Sequence, residues 1–258
     1  MNSPEVYYSI LSERSGAAND TCFNSALDVA EHCGMNGHKH IRLGYSRTDY
    51  ARNTIVDAFL ESSSRDNDLL VMLDCDHKYQ PDIVSKFAAH DPTKGVVGAL
   101  AFRRGEPYDP LFFIRLNGAL HAVAELDYGQ IYPCAIVSTS AISIRRWVFL
   151  ELKQRGYLPP FFRYEYPTGN ALPSEDMYFG RICEQAGIHH YCDTSILIPH
   201  AGQAWFTKEI HEEYMKNNQH LLSTQKVEVK ALQRTEITLL FILLEACIYL
   251  AINLEMII

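Results

Sequence analysis

The sequence lacks several features that would assign it to a common protein class. Its 258 residues contain seven cysteines but no CxxC pair, so neither a zinc site of the usual spacing nor a disulfide framework is expected. The formal net charge of -8 leaves no basic excess, which argues against nucleic-acid binding. The chain does not begin with a basic stretch followed by an apolar core, so we expect no secretory signal and predict a cytoplasmic protein.

Short apolar stretches alternate with amphipathic ones over the first hundred residues. The order predicts strands at 6–11, 40–43, 68–74 and 95–102, separated by helices at 20–33, 50–62 and 82–90. Such an alternation is typical of an α/β fold with a mainly parallel central sheet flanked by helices. After residue 102 the predicted strands (111–116, 121–126 and 133–144) follow one another without long helices, which indicates a smaller mixed sheet.

An unbroken apolar run ends in two carboxylates, Asp74 and Asp76. Side chains on a strand repeat every second residue, so these two are expected to point the same way. Ligands bind at the carboxyl ends of strands in α/β sheets, and carboxylate oxygens suit a hard divalent cation that can hold a diphosphate. The alternative is a strand that simply ends in exposed acids capping the next turn.

Four motifs follow one another along the chain: Ser46-Arg47-Thr48-Asp49-Tyr50-Ala51-Arg52-Asn53, Leu73-Asp74-Cys75-Asp76, Ser174-Glu175-Asp176 and Pro199-His200. Together they resemble GT-A fold glycosyltransferases, especially the family 2-like group, over residues 5–205. The resemblance implies a GT-A (Rossmann-like) fold, a nucleotide-diphosphate sugar donor, a divalent metal and a carbohydrate or glycolipid acceptor. UDP is the expected carrier, with GDP second. The resemblance assigns 1–102 to a nucleotide-sugar-binding half and 103–205 to an acceptor-binding, catalytic half of the same domain.

The resemblance also implies a metal site and a donor site. Asp76 would coordinate Mn²⁺ or Mg²⁺, Asp74 would bind the ribose or a metal-bound water, and His200 would complete the metal shell. Imidazole nitrogen combined with carboxylate oxygen suits Mn²⁺ as well as Mg²⁺. The nucleotide-sugar-binding residues expected on this basis are Ser9, Leu11, Ser12, Arg47, Arg52, Asn53, Asp74 and Cys75. Strand alternation turns Cys75 away from its neighbours, so a plain core position is its alternative.

The arginines Arg47 and Arg52 lie beside a predicted helix start at Asp49. Cations near a helix N-terminus oppose the helix dipole, and a bound diphosphate would resolve that conflict. The alternative is a surface ion pair with Asp49 or Asp57.

The acid pair Glu175-Asp176 opens a predicted helix after a proline-rich aromatic loop. The helix dipole stabilises carboxylates in a first turn, which accounts for one of them without a catalytic role. The resemblance implies that Asp176 is the general base of an inverting transfer and that Glu175 is the second choice. Candidate acceptor contacts are the aromatic side chains Tyr164, Tyr166 and Trp205, which have faces that stack on sugar rings.

Three other functions remain open. A retaining transferase related to mannosylglycerate synthase also combines Asp-x-Asp with a late histidine. A sugar-nucleotide-binding protein without turnover is a second alternative. Haloacid-dehalogenase-type phosphatases also begin with Asp-x-Asp, but His77-Lys78 follow here and no downstream Gly-Asp-x-x-x-Asp is present, so this interpretation is the weakest.

Residues 206–258 are expected to form a C-terminal helical tail, and its last part, 237–258, is almost wholly apolar. It is long enough to cross a bilayer, but Glu245 and Glu255 make a spanning helix costly. The upstream cations Lys226, Lys230 and Arg234 are spaced for one helical face, which favours the cytoplasmic surface of a membrane. Packing against the catalytic domain, or self-association through this segment, is the alternative.

Overall fold

The computed structural model describes residues 4–11, 20–44, 46–123, 125–165, 174–202 and 205–218. Its strands are β1 (Val6–Leu11), β2 (Lys39–His40), β3 (Leu69–Asp74), β4 (Val96–Leu100), β5 (Phe112–Leu116), β6 (Ala119–Ala122), β7 (Ile131–Cys134), β8 (Ile136–Val137), β9 (Ala141–Arg145) and β10 (His190–Leu197). Its helices are α1 (Asp20–Met35), α2 (Thr48–Ser62), α3 (Ile83–Ala88), α4 (Arg146–Gln154), α5 (Glu175–Gln185) and α6 (Lys208–Asn217).

A seven-stranded sheet forms the centre of the protein, in the order β2-β1-β3-β9-β4-β10-β7. Strands β2, β1, β3, β4 and β10 point the same way, whereas β9 and β7 run antiparallel to their neighbours. The smaller sheet, β6-β5-β8, is antiparallel. The predicted α/β class, with a mainly parallel central sheet and a smaller second sheet, is therefore confirmed.

Strands from the two sides of residue 102 interleave in the central sheet. Strand β9 lies between β3 and β4, and β10 pairs with β4. The two predicted halves therefore share one sheet.

The Asp-x-Asp segment begins where β3 leaves the buried core. Residues Leu69–Leu73 are at most 1% exposed, whereas Asp74, the last residue of the strand, is partly exposed. Five consecutive apolar side chains suit a strand covered on both faces, and the first polar residue marks where that cover ends. Helix α5 packs closely on the small sheet, because a Cβ on Gly180 would lie 2.7 Å from Cγ1 of Ile136.

Several predictions concern residues outside the described part of the chain. Ser12, Tyr166 and the apolar segment 237–258 lie there, so the roles predicted for them stay predictions. Among the helices that are described, none has the length and apolar character needed to cross a membrane.

Candidate functional site

A cleft of about 210 Å³ opens beyond the carboxyl end of β3. Its lining brings together residues far apart in sequence: Leu11, Ser46, Thr48, Ala51, Asp74, Cys75, Asp76, Arg104, Tyr164 and Glu175. Six of these were predicted as site residues: Leu11, Asp74, Cys75, Asp76, Tyr164 and Glu175. The position agrees with the general rule that ligands of open α/β sheets bind outside the carboxyl ends of the strands.

Asp76 lies in a cluster with two histidines. Its Oδ1 accepts a hydrogen bond of 2.8 Å from Nδ1 of His77, and its Oδ2 lies 3.3 Å from Nε2 of His200. The two imidazole rings stack with their centroids 4.0 Å apart, and the backbones of His77 and His200 form an isolated antiparallel bridge. This bridge places His200, three residues beyond the end of β10, beside the segment that follows β3, which is how His200 reaches Asp76.

The donor atoms of this cluster fit a divalent cation. Three possible ligand atoms, one from each of Asp76, His77 and His200, lie within 4.8 Å of one another. Nε2 of His77 is buried and has no hydrogen-bond partner among the described residues, and an unpartnered buried nitrogen is costly unless something binds it. His77 was not among the predicted ligands, although its position next to Asp76 was a usable signal.

The protonation states of the cluster also suit metal binding. Burial would raise the pKa of Asp76, but the contacts of this carboxylate with His200 and His77 outweigh burial and hold this pKa well below its usual range. Burial lowers the pKa of His77 to about 4. Asp76 is therefore a carboxylate and His77 a neutral imidazole near neutral pH, which are the forms that ligate metals.

Arg52 forms hydrogen bonds with three separate segments that surround the site. Its guanidinium, 1% exposed, donates to Oδ1 of Asp74 at 2.8 Å, to Oε1 of Glu175 at 3.3 Å and to the carbonyl of Thr139 at 3.1 Å. Burial raises the pKa of Asp74 to about 7, with Arg52 opposing the shift and Asp76 adding to it. Arg52 therefore positions two carboxylates, while its predicted contact with the nucleotide stays a prediction.

Replacing Arg52 with methionine is expected to lower the free energy of unfolding by about 3–5 kcal/mol, because it leaves buried carboxylates without their cation. Denaturant unfolding followed by circular dichroism measures this loss. Arg47→Met is the matched control, because that side chain is 76% exposed and the loss of its solvent-screened ion pair should leave the free energy of unfolding nearly unchanged.

The double variant Arg52→Met/Glu175→Gln should recover part of the lost stability, since it removes one of the stranded negative charges. An Arg52→Met protein that is as stable as the wild type but no longer binds nucleotide would contradict this positioning role and favour direct contact with the donor.

Arg47, the residue before α2, and Asn53 within α2 also contact protein groups. Arg47 forms a bidentate pair with Asp49, its Nη2 lying 2.7 Å from Oδ2, which is the surface ion pair considered as the alternative. Asn53 donates to the carbonyl of Phe162, and its Oδ1 accepts from the backbone N–H groups of Phe161 and Phe162. Asn53 thus anchors the aromatic loop onto α2.

The acid pair opens α5 as predicted. Glu175 lines the cleft and is hydrogen-bonded to the hydroxyl of Tyr164, which also contacts Thr48. Asp176 accepts hydrogen bonds at Oδ1 from the hydroxyl of Ser174 and, at 2.8 Å, from the backbone N–H of Met177. Burial raises the pKa of Asp176, and the charge of Glu175 adds to the shift.

A second, larger cavity is lined in part by residues at the start of α5. Its volume is about 430 Å³, and its lining includes Ser174 and Met177, which flank Asp176 in sequence. The rest of the lining combines apolar, aromatic and charged side chains: Phe113, Arg115, Ala119, Leu120, Ala122, Ile136, Glu165, Tyr178 and Arg181. Residues at the start of α5 therefore line both the Asp-x-Asp cleft, through Glu175, and a cavity large enough for a sugar, through Ser174 and Met177; Asp176 is in neither lining.

Seven of the predicted residues that the structure describes are not part of the cleft lining: Ser9, Arg47, Arg52, Asn53, Asp176, His200 and Trp205. Ser9 is fully buried in β1, with a hydroxyl that has no hydrogen-bond partner in the described part of the chain. Trp205 is partly buried in the short connection between His200 and α6. Their predicted contacts with donor and acceptor stay predictions.

No family model and no curated protein matches this chain. Among solved structures, A197 from STIV is similar with a TM-score of 0.48 and 15% identity, covering 77% of this chain and 86% of that one. A glycosyltransferase involved in glycosylation of the major capsid of PBCV-1 has a TM-score of 0.42 and 11% identity, covering 83% and 100%. A Drosophila beta-1,4-galactosyltransferase 7 mutant in complex with manganese, UDP-Gal and xylobiose has a TM-score of 0.40 and 11% identity, covering 87% and 81%.

Proposed function

We propose that this protein is a metal-dependent glycosyltransferase that moves a sugar from a nucleotide-diphosphate donor, with UDP as the favoured carrier, to an acceptor hydroxyl. The observation on which this rests is the meeting of Asp74, Asp76, His77, His200 and Glu175 at the carboxyl end of β3. The four motifs that resemble GT-A fold glycosyltransferases supply the same residues, apart from His77.

The charge of the cleft supports metal dependence. Asp74, Asp76 and Glu175 line it, so an anionic diphosphate entering alone would meet carboxylates at short range. Asp76, His77 and His200 would hold Mn²⁺ or Mg²⁺, which when bound supplies a positive charge for the donor phosphates and for the charge that builds on the leaving group. Oxygen and imidazole ligands are suited to either ion.

The acid pair is proposed to act on the acceptor. Asp176 takes the proton from the attacking hydroxyl, because its raised pKa makes it a better proton acceptor than an ordinary carboxylate. Glu175, held by Arg52 and Tyr164, keeps the start of α5 against the cleft. The acceptor enters from the cavity beside Ser174 and Met177, and a base opposite the leaving group corresponds to an inverting transfer.

A thermal-shift screen of nucleotide sugars, with Mn²⁺, with Mg²⁺ and with EDTA, tests the proposal. A ligand at 100 times its dissociation constant stabilises a protein by about 2.7 kcal/mol, which corresponds to about 5–10 °C for a chain of this size. We expect such a shift for at least one UDP-sugar with a metal ion and none with EDTA.

No shift with any nucleotide sugar and either ion would contradict the proposal. A metal-dependent shift without transfer to a broad set of acceptors, and without donor hydrolysis, would instead favour a sugar-nucleotide-binding protein.

A further inference from the structure

Arg104 donates hydrogen bonds to two of the three side chains that are proposed to bind the metal ion. Its Nε donates to Nε2 of His200 at 2.6 Å, and its Nη2 donates to Oδ2 of Asp76. Nδ1 of His200 faces the carbonyl of Phe102 at 3.3 Å, so Nε2 is the nitrogen with a free lone pair. Lone pairs of Asp76 and His200 thus both point at the positively charged guanidinium of Arg104.

We propose that Arg104 is a tethered cation that competes with the metal ion in the free protein and moves onto the donor diphosphate when metal and donor bind. The inference rests on the proposed function and adds a donor-binding residue that the motifs do not contain. A guanidinium and a divalent cation cannot share the same lone pairs, so metal binding has to displace this side chain.

The loop that carries Arg104 allows the side chain to move while the backbone stays in place. An isolated bridge joins Phe102 to Pro110, and the N–H of Arg103 donates to the carbonyl of Asp109 at 2.9 Å, so the ends of the loop are tied together. The side chain of Arg104 is 43% exposed and lines the cleft. Once displaced, its guanidinium remains at the wall of the cleft where a diphosphate would lie.

Displacement of Arg104 couples the binding of the metal ion to the binding of the donor. Metal alone must break the contacts of Arg104 with Asp76 and His200 and gives the guanidinium no new partner. Metal together with a diphosphate offers it phosphate oxygens, with which arginine forms strong bidentate hydrogen bonds. Metal and donor should therefore bind more tightly together than either does alone, and Arg104 should contribute to that coupling.

Arg104→Ala tests the exchange by moving two affinities in opposite directions. Mn²⁺ binding to the nucleotide-free protein, measured by electron paramagnetic resonance, is expected to tighten about tenfold because the competing cation is gone. UDP binding at saturating Mn²⁺, measured by calorimetry, is expected to weaken about tenfold because a phosphate contact is lost. A residue needed only for folding would weaken both.

Arg103→Ala is the matched control. It removes the same charge one residue away, from a side chain that is 45% exposed and 3.9 Å from Asp109, so both affinities should change less than about threefold. Equal tightening of Mn²⁺ binding in the two variants would overturn the exchange and indicate a general charge effect.

The remaining outcomes separate the inference from the proposed function. Unchanged or weaker Mn²⁺ binding in Arg104→Ala, with normal metal-dependent UDP binding, overturns the role of Arg104 and leaves the proposed function standing. Absence of Mn²⁺ binding from the wild type and from the variant overturns both.

Discussion

Replacing Asp76 with asparagine is expected to abolish metal-dependent donor binding and to lower the rate of transfer by about a thousandfold or more, since a metal contributes several kcal/mol of charge stabilisation. The amide would keep the shape of the side chain but remove the negative charge that His77, His200 and Arg104 surround. Mn²⁺ titration, the thermal shift with the donor found in the screen, and the initial rate of transfer measure the effect.

Asp82→Asn is the control for this variant. It also removes one negative charge, but from a side chain that is 46% exposed and pairs with Lys86 on the surface, so binding and rate should remain within about twofold of wild type. Circular dichroism must show that both variants are folded. A folded Asp76→Asn protein that keeps the full Mn²⁺-dependent shift would contradict the assignment of Asp76 as a metal ligand.

The sequence was sufficient to predict that Asp74 and Asp76 come at the end of a buried strand. A buried strand leaves a pattern that depends only on local sequence, namely an apolar run followed by polar residues, and Asp74 and Asp76 follow from it. The backbone bridge between His77 and His200 depends on how β10 pairs with β4, which no local pattern determines. His200 was therefore predicted only through the resemblance to a family.

The partners of Arg52 and Arg104 were beyond prediction for the same reason, whereas the pair between Arg47 and its near neighbour Asp49 was expected as an alternative. Arg47 and Arg52 occupy one motif and looked equivalent, yet the first is largely exposed and the second is buried between Asp74 and Glu175. Arg104 belongs to none of the motifs and reaches Asp76 through the loop after β4. A long cationic side chain can reach many acids, and the tertiary fold decides which one it meets.

The fold shows a similar division between local and distant determinants. The run 133–144 reads as one strand, but it contributes to three: β7 pairs with β10, β8 joins the small sheet, and β9 enters the centre of the large one. Apolar character reports burial, and all three strands contain buried residues, so it does not distinguish between them. The chain changes sheets at positions that only the complete topology defines.

Replacing Asp176 with asparagine is expected to lower kcat by about 10²–10⁴-fold, the usual contribution of a general base, and to leave donor affinity unchanged. The amide oxygen would keep the hydrogen bond from the N–H of Met177, but the side chain could no longer accept a proton. Because burial and the charge of Glu175 raise the pKa of Asp176, the wild-type rate should fall as the pH drops through a value above the ordinary carboxylate range. That acidic limb should be absent from the residual activity of the variant.

Glu175→Gln is the matched comparison, because it changes the adjacent acid on the same helical turn. Its carboxylate is bonded to Arg52 and Tyr164, so its loss should reduce stability and lower kcat less than Asp176→Asn does, while the acidic limb of the pH profile stays in place. The opposite result, with the limb lost in Glu175→Gln and kept in Asp176→Asn, would assign the base to Glu175. A sugar transferred with retained anomeric configuration would exclude a base of this kind from both positions, because the inverting displacement is the step that requires it.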